Sequence, residues 1–290
     1  MTSDSLHDRI TDQFSYRGEQ ADIWRGFDLL LDTESFLNMG YSRWYQPLFL
    51  GSSQRRLAAK VATELEPRLP DSEDVQLLDV GCGRGGPTIE LAEKLHVPAI
   101  GVDLVPFNIA TAYTNAADHG HPAAFLVGDA TRLPIATTSV SVCTAIDSLV
   151  YIPDKPSAFA ELSRVLEPDG VIAVSDLLTS STIGAAEADV ITDFAEAWDM
   201  PPLSNVDQYL TDLEHAGFTI DTVQDITANS VGRFRKWTGL VLFLNAYADG
   251  IVERALSRRG IDRQAVIDQI RRAHRALPHL RHLLVTATRR

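Results

Sequence analysis

The segment Leu77-Leu78-Asp79-Val80-Gly81-Cys82-Gly83-Arg84-Gly85-Gly86-Pro87-Thr88 limits what this chain can fold into more than any other stretch. An apolar run closes on an acid, four glycines follow within six residues, and a helical pattern (Ile89, Leu91, Ala92, Leu95) begins near Thr88. This reads as strand, tight turn and helix. Glycine allows positive φ and lets a flat or charged ligand approach the main chain, while the helix start offers free N–H groups. Gly81, Gly83 and Gly86 fit the G-x-G-x-x-G spacing of a dinucleotide turn, and Gly81, Gly83 and Gly85 fit G-x-G-x-G. Asp79 bears on the choice, because a carboxylate just before the turn repels a pyrophosphate and attracts a cationic group.

Downstream, strand and helix patterns alternate. Val97 to Val102 is a short buried strand ending at Asp103, twenty-two residues after Gly81, with Leu104 following it. An acid at that distance can accept both ribose hydroxyls of a nucleoside. After a helical pattern (Ile109, Ala112, Tyr113, Ala116), Ala123 to Val127 ends at Gly128-Asp129-Ala130. Ser139 to Ile146 reads as a fourth strand by its alternation and β-branched content, and it ends at Asp147. A helix through Phe159, Leu162, Val165 and Leu166 leads to Pro168-Asp169-Gly170 and a fifth strand, Val171 to Asp176. Ser204 is placed to cap a helix closed by Gly217, and Phe218 to Ile226 and Leu283 to Thr288 are two more strands. The pattern predicts an α/β chain with a Rossmann-like sheet.

Two flanks lack strand patterns. Residues 1–60 show helical spacing over Ala21 to Leu31 and Ser53 to Glu66, with an aromatic cluster around Gly40 between them. Arg233 to Leu277 is helical, and residues 229–290 hold thirteen Lys and Arg against four acids. We therefore expect a helical lid at 1–60, a nucleotide-binding core at 61–228, a helical cap insertion at 229–280 and a final core strand at 281–290. Phe36, Tyr41, Trp44, Tyr45 and Phe49 on one flank, and Phe234, Trp237, Leu240, Phe243 and Leu244 on the other, suffice to line a dry pocket or equally to pack as core. Between them, Phe194, Trp198 and Met200 mark a further pocket-lining helix and loop. Arg233, Arg235 and Lys236 can meet a carboxylate or phosphate. Tyr45, Trp198, Arg233 and Trp237 are the substrate-binding candidates.

Residues 77–88 closely resemble the glycine motif of class I S-adenosylmethionine (SAM) methyltransferases. The run from Asp147 to Asp176, with Pro153-Asp154, a helix and a Pro-x-Gly turn, resembles the ubiquinone/menaquinone, tocopherol and sterol methyltransferase group. The resemblance covers residues 75–177 and implies a seven-stranded sheet whose last strand is antiparallel, with SAM as cofactor. Carried over residue by residue, it implies cofactor contacts at Tyr41, Asp79, Gly81, Gly83, Gly85, Asp103, Leu104, Asp129, Ala130 and Asp147. Asp79 would face the ammonium and Asp103 the ribose, while Asp129 would face the adenine amine and Ala130 would leave room for the ring. Leu37-Asn38-Met39-Gly40-Tyr41 is similar to the Leu-Asn-x-Gly-Tyr segment of several small-molecule members, whose tyrosine lies over the methionine end. Related enzymes often carry a histidine after the fourth strand, where this chain has Val150-Tyr151. Asp147 and Tyr41 are thus the catalytic candidates; Asp147 either orients or deprotonates the acceptor, or only holds the SAM ammonium. His215, His274, His279 and His282 are expected in solvated or structural roles.

Composition narrows the partners. A chain of 290 residues with 45% hydrophobic content can bury a real core. A net charge of −13 argues against a nucleic-acid partner. There is no apolar run of membrane-spanning length, and Met1-Thr2-Ser3-Asp4-Ser5 lacks signal-peptide character, so a cytoplasmic location is expected. Cys82 and Cys143 are expected as small core residues, and no metal spacing exists. The expected reaction is methyl transfer from SAM to a carbon or oxygen of a mostly apolar small molecule, in secondary or isoprenoid/quinone-type metabolism, with a homodimer as a candidate assembly. An NAD(P)-dependent oxidoreductase accounts for the glycines and Asp103 but does not call for Asp79 or the Asp147-to-Gly170 run. A non-catalytic SAM-binding protein needs the fold alone.

Overall fold

The strand expected before the glycine turn forms with every residue buried. The computed structural model describes residues 3–15, 34–46, 51–72, 74–247, 250, 256, 258 and 261–290. In chain order the principal elements are α1 (Ser3–Phe14), α2 (Gly51–Leu65), β1 (Leu77–Val80), α3 (Gly86–Leu95), β2 (Ala99–Asp103), α4 (Pro106–Asp118), β3 (Ala124–Val127) and β4 (Val140–Ile146). They continue with α5 (Lys155–Val165), β5 (Leu166–Thr179), α6 (Ala185–Ala197), α7 (Val206–His215), β6 (Phe218–Asp225), α8 (Val231–Tyr247), α9 (Arg263–Ala276) and β7 (Leu280–Arg289). The helical pattern at 21–31 and the aromatic Phe49 lie outside the described residues.

The seven strands form one sheet in the order β3-β2-β1-β4-β5-β7-β6. β1 to β5 pair in parallel, and β7 runs antiparallel between β5 and β6. The order turns back between β1 and β4, so the carboxyl ends of these strands open the crevice where an α/β sheet takes its ligand. β4 is buried along its whole length, as a central parallel strand covered on both faces must be. Leu57, Val61 and Leu65 of α2 and Leu91 of α3 cover one face, against Leu77, Val142 and Ala173. Phe159, Leu162, Tyr209 and Leu213 cover the other, against Leu78, Cys143 and Ile172. Cys82 and Cys143 are both free and buried.

Local chemistry sets the element ends. Gly85, at φ 84°, precedes α3, which therefore starts two residues earlier than the apolar pattern suggests. Ser204 is not the cap of α7: its carbonyl accepts from Thr179 N at 2.9 Å, and Asn205 caps instead by accepting from Gln208 N. A division at residue 60 would fall inside α2, whose apolar side belongs to the sheet's core. Ile10 and Phe14 of α1 share a separate apolar cluster with Phe194 and Trp198, Phe234 and Trp237 of α8, and Val266 and Ile270 of α9.

Gly101, in the middle of β2, has no room for a side chain. An added Cβ would lie 2.6 Å from a ring carbon of Phe125 and 2.8 Å from Cys82 Sγ. Gly101→Ala should lower unfolding free energy by about 1–3 kcal/mol, the usual cost of overpacking, with the denaturant slope unchanged. Urea unfolding followed by circular dichroism measures it.

Candidate active site

A cavity of about 360 Å³ opens at the carboxyl edge of β1, β2, β3 and β4. Gly81, Gly83, Asp103, Leu104, Asp129, Ala130 and Asp147 all line it. Gly81 (φ 71°) and Gly83 (φ 54°) hold the left-handed turn, and a Cβ on Gly81 would sit 2.2 Å from Ser148 Cβ. Asp103 Oδ2 accepts from Gly83 N at 2.9 Å, and Oδ1 from Val105 N at 2.9 Å and Asn108 Nδ2 at 3.1 Å. Burial raises the Asp103 carboxyl, against the lowering effect of those three donors. Asn108 Oδ1 is buried without a hydrogen-bond partner and its residue lines the same cavity. The donor set therefore fits a nucleoside: acceptors for ribose hydroxyls at Asp103 and a spare carbonyl at Asn108.

Asp129 lies at the far end, where its Oδ1 accepts from Thr131 N and Thr131 Oγ1, both at 2.8 Å. His7, Ile10 and Phe14 of α1 form the outer wall, with His7 Nε2 3.8 Å from Asp129 Oδ2.

A second cavity of about 80 Å³ adjoins the first. Val150, Leu177, Phe194, Trp198, Met200, Phe234 and Leu277 make it apolar, which places Trp198 as expected. Leu37, Asn38, Asp147 and Tyr151 line both cavities. Asp147 is a non-glycine residue in the left-handed region, φ 54°, a conformation that aspartate tolerates better than most. Its Oδ2 accepts from Met39 N at 2.8 Å; its Oδ1 accepts from Ser175 Oγ at 2.6 Å and lies 2.8 Å from His282 Nε2. Burial alone would raise this carboxyl, but the His282 charge and the bonds from His282, Ser175 and Met39 outweigh it, so the net shift is downward. Tyr151 packs edge-on against Phe14, at 5.3 Å between ring centres, and burial pushes its phenol up.

Other candidates are placed elsewhere. Asp79 does not line the cavity: Thr88 Oγ1 (2.6 Å) and Thr144 Oγ1 (2.8 Å) donate to it beneath the turn. Gly85 is a packing glycine, since a Cβ there would meet Ala112 at 2.9 Å and Phe125 at 3.0 Å. Tyr41 packs against the α2 side of the core, its carbonyl accepting from Arg56 Nε at 3.1 Å, and it reaches neither of these two cavities. Tyr45 is exposed against Trp44. Trp237 is buried in a stack with Phe234, at 5.3 Å between ring centres, and does not line the smaller cavity. Arg233 donates to Gln46 O and lies away from both cavities, so it cannot supply the anion contact expected of it.

Sequence reasoning passed over several residues that the fold brings in. Leu37 and Asn38, which line both cavities, lie within the very segment that pointed to Tyr41. Tyr151 stood in view as a replacement for histidine. His282 is neither solvated nor at an open strand edge: it is fully buried, with Nδ1 2.7 Å from Ser230 Oγ. Only the pairing of β5 with β7, which sets Leu177 opposite His282, carries it to Asp147.

Asp79 also has a measurable signature. Burial, opposed by its two threonine donors and reinforced by Asp103, raises its carboxyl from 3.8 to about 6. The folded chain then holds this proton more tightly than the unfolded chain, so stability falls as pH rises between those values and levels off above them. In the ligand-free protein Asp79→Asn should flatten part of the pH 4–6 slope and stabilise the fold near pH 7, by on the order of 2–3 kcal/mol at most. Thermal unfolding of both proteins across that range checks it; an unchanged slope would contradict this electrostatic assignment.

Comparison with known proteins agrees with this geometry. Residues 77–170 match a family described as a methyltransferase domain. An O-methyltransferase of Aspergillus nomiae, rstn1, is 29% identical over 202 residues, which cover 67% of this chain and 85% of that one. Among solved structures, a geranyl diphosphate methyltransferase in complex with geranyl diphosphate and sinefungin superposes with a TM-score of 0.72 at 18% identity, covering 98% of this chain and 100% of that one. The cyclase SpnF superposes with a TM-score of 0.69 at 22% identity, covering 94% of each chain. These two structures show the Rossmann-like fold, and residues 77–170 carry a methyltransferase domain, in keeping with the SAM-dependent methyltransferases among the sequence relatives.

Proposed function

We propose that the chain transfers a methyl group to a carbon or oxygen of a mostly apolar small molecule held in the second cavity. The observation that carries this reading is the wall shared by the two cavities, Leu37, Asn38, Asp147 and Tyr151. SAM supplies a methyl group on a sulfonium that is its own leaving group. In this reading Asp103 takes the ribose, Asp129 and Ala130 the adenine, and Asp147 lies beside the reacting end. Phe194, Trp198 and Met200 hold the acceptor and exclude water, and no Lys or Arg stands among the described residues that line that cavity. Alignment in a dry pocket can contribute on the order of 7–11 kcal/mol at best, so two well-ordered cavities matter more than a strong base. The names of an O-methyltransferase and a geranyl diphosphate methyltransferase among the similar proteins fit an acceptor from secondary or isoprenoid metabolism.

The flanks serve as lids in this reading. The segment before α2 is tied to the start of α8 by Ser42 N donating to Asn229 O at 2.8 Å and Asn229 Nδ2 donating to Ser42 O at 3.1 Å. Met39 N reaches Asp147 from the same segment, so closing it completes the shared wall.

Asp103→Ala should weaken S-adenosylhomocysteine binding by roughly 10–100-fold, because ribose hydroxyls would be left unpaired at about 1–3 kcal/mol. Isothermal titration measures this, and unchanged affinity would refute the cofactor placement. Methyl-labelled SAM incubated with a small-molecule extract should give a labelled low-molecular-weight product. Label appearing only in protein or nucleic acid would overturn the acceptor class.

A further inference from the structure

The Asp147 carboxylate has more partners than a cofactor contact needs. A carboxylate offers about four lone-pair directions, and Met39 N, Ser175 Oγ and His282 Nε2 occupy three of them. One direction is left, on the side chain that lines both cavities. His282 is completely buried and lines neither cavity, so it acts on anything there only through Asp147. Its hydrogen bonds orient the ring. The Ser230 hydroxyl donates to Ile226 O at 3.0 Å, which leaves its oxygen to accept from His282 Nδ1 at 2.7 Å. The other ring nitrogen, Nε2, faces an acceptor too, and its N–H points at Asp147.

Resting on the methyl-transfer reading above, we infer that His282 is a positioning residue that aims Asp147 at an acceptor hydroxyl, and that the reaction is O-methylation. The acceptor oxygen donates its hydrogen bond to the free Asp147 lone pair. A lone pair of that oxygen forms the bond to the methyl carbon, the S–CH3 bond breaks with its electron pair staying on sulfur, and the hydroxyl proton passes to Asp147. A carboxylate held below its ordinary range is a poor base for a carbon acid. It suffices here, because the oxygen becomes strongly acidic as the new C–O bond forms. An alkene or another acceptor without an O–H would leave a buried carboxylate lone pair unmatched. The other titratable groups facing the pair are Tyr151 and Asp176 of β5, the latter raised by burial to about 7 and opposed by Lys155.

Two variants of the full chain separate positioning from mere packing. His282→Gln retains an N–H donor and His282→Leu does not. Carbon-13 NMR of the Asp147 carboxyl, with saturating S-adenosylhomocysteine, should show titration below the ordinary carboxylate range in the natural chain and in His282→Gln. The titration should move up by at least one pH unit in His282→Leu. With carbon-13 methyl-labelled SAM and the extract, the product should carry a methoxy carbon, and kcat should fall by about 10²-fold in His282→Leu but by less than 10-fold in His282→Gln. S-adenosylhomocysteine affinity should be equal in all three. A product with a new C–CH3 or N–CH3 bond overturns the inference while leaving the methyltransferase reading intact, and the absence of any small-molecule product overturns both. Equal kcat losses in the two variants, a loss of cofactor affinity in place of kcat, or an Asp147 carboxyl that titrates in the ordinary range or above in the natural chain would each reject the role of His282. The last measurement decides the matter even if His282→Leu does not fold.

Discussion

The buried carboxylate of Asp147 is where the separate layers of this protein meet. It sits just past β4 and is bonded to a main-chain N–H of the segment before α2, to Ser175 of β5 and to His282 of β7. A buried charge of this kind persists only if donors are supplied to it, because desolvation otherwise neutralises it. The three donors therefore do more than orient a side chain: they require the segment before α2, the central parallel strands and the antiparallel return strand to be in register together. The left-handed backbone at Asp147 is a local strain of the sort that persists where surrounding contacts over-determine it.

The four strand-end acids look alike in sequence and are sorted by their surroundings. Asp79 is enclosed by two threonine hydroxyls and pushed toward neutrality. Asp103 is buried but braced by two main-chain N–H groups and an amide, with its carboxylate facing the larger cavity. Asp129 is spent on a tight turn through Thr131 and leaves one oxygen toward the cavity. Asp147 is lowered, because a histidine stands behind it. Burial acts on Asp79, Asp103 and Asp147 alike; what differs is the donors supplied in return.

Much of this was legible in the sequence. The glycine turn and the acids at the ends of β2, β3 and β4 follow from local patterns that span a few residues, whereas the seven-stranded sheet with its antiparallel last strand came from the family resemblance. The misplaced candidates share a different feature. Tyr45, Arg233 and Trp237 were selected by residue type and Tyr41 by its place in a family-like segment, all within flanking helices and loops, where which way a side chain faces depends on packing between distant segments. Arg233 is a case in point, since its partner is the Gln46 carbonyl, 187 residues away. His282 was hidden for the same reason: no local pattern relates the start of the last strand to Asp147, 135 residues earlier, until β7 inserts antiparallel beside β5. The smaller cavity also draws on α6, α8 and the segment before α2, so its apolar lining could be anticipated in kind but not in membership.

The central claim is that one wall, with Asp147 at its middle, divides a cofactor cavity from an acceptor cavity. A crystal structure of the complete chain with S-adenosylhomocysteine tests it most directly. The account requires the ribose hydroxyls on Asp103, the adenine beside Asp129 and Ala130, and the sulfur against the wall formed by Leu37, Asn38, Asp147 and Tyr151, facing the apolar cavity. A ligand bound in the reverse direction, or with its sulfur turned away from that wall, would contradict it.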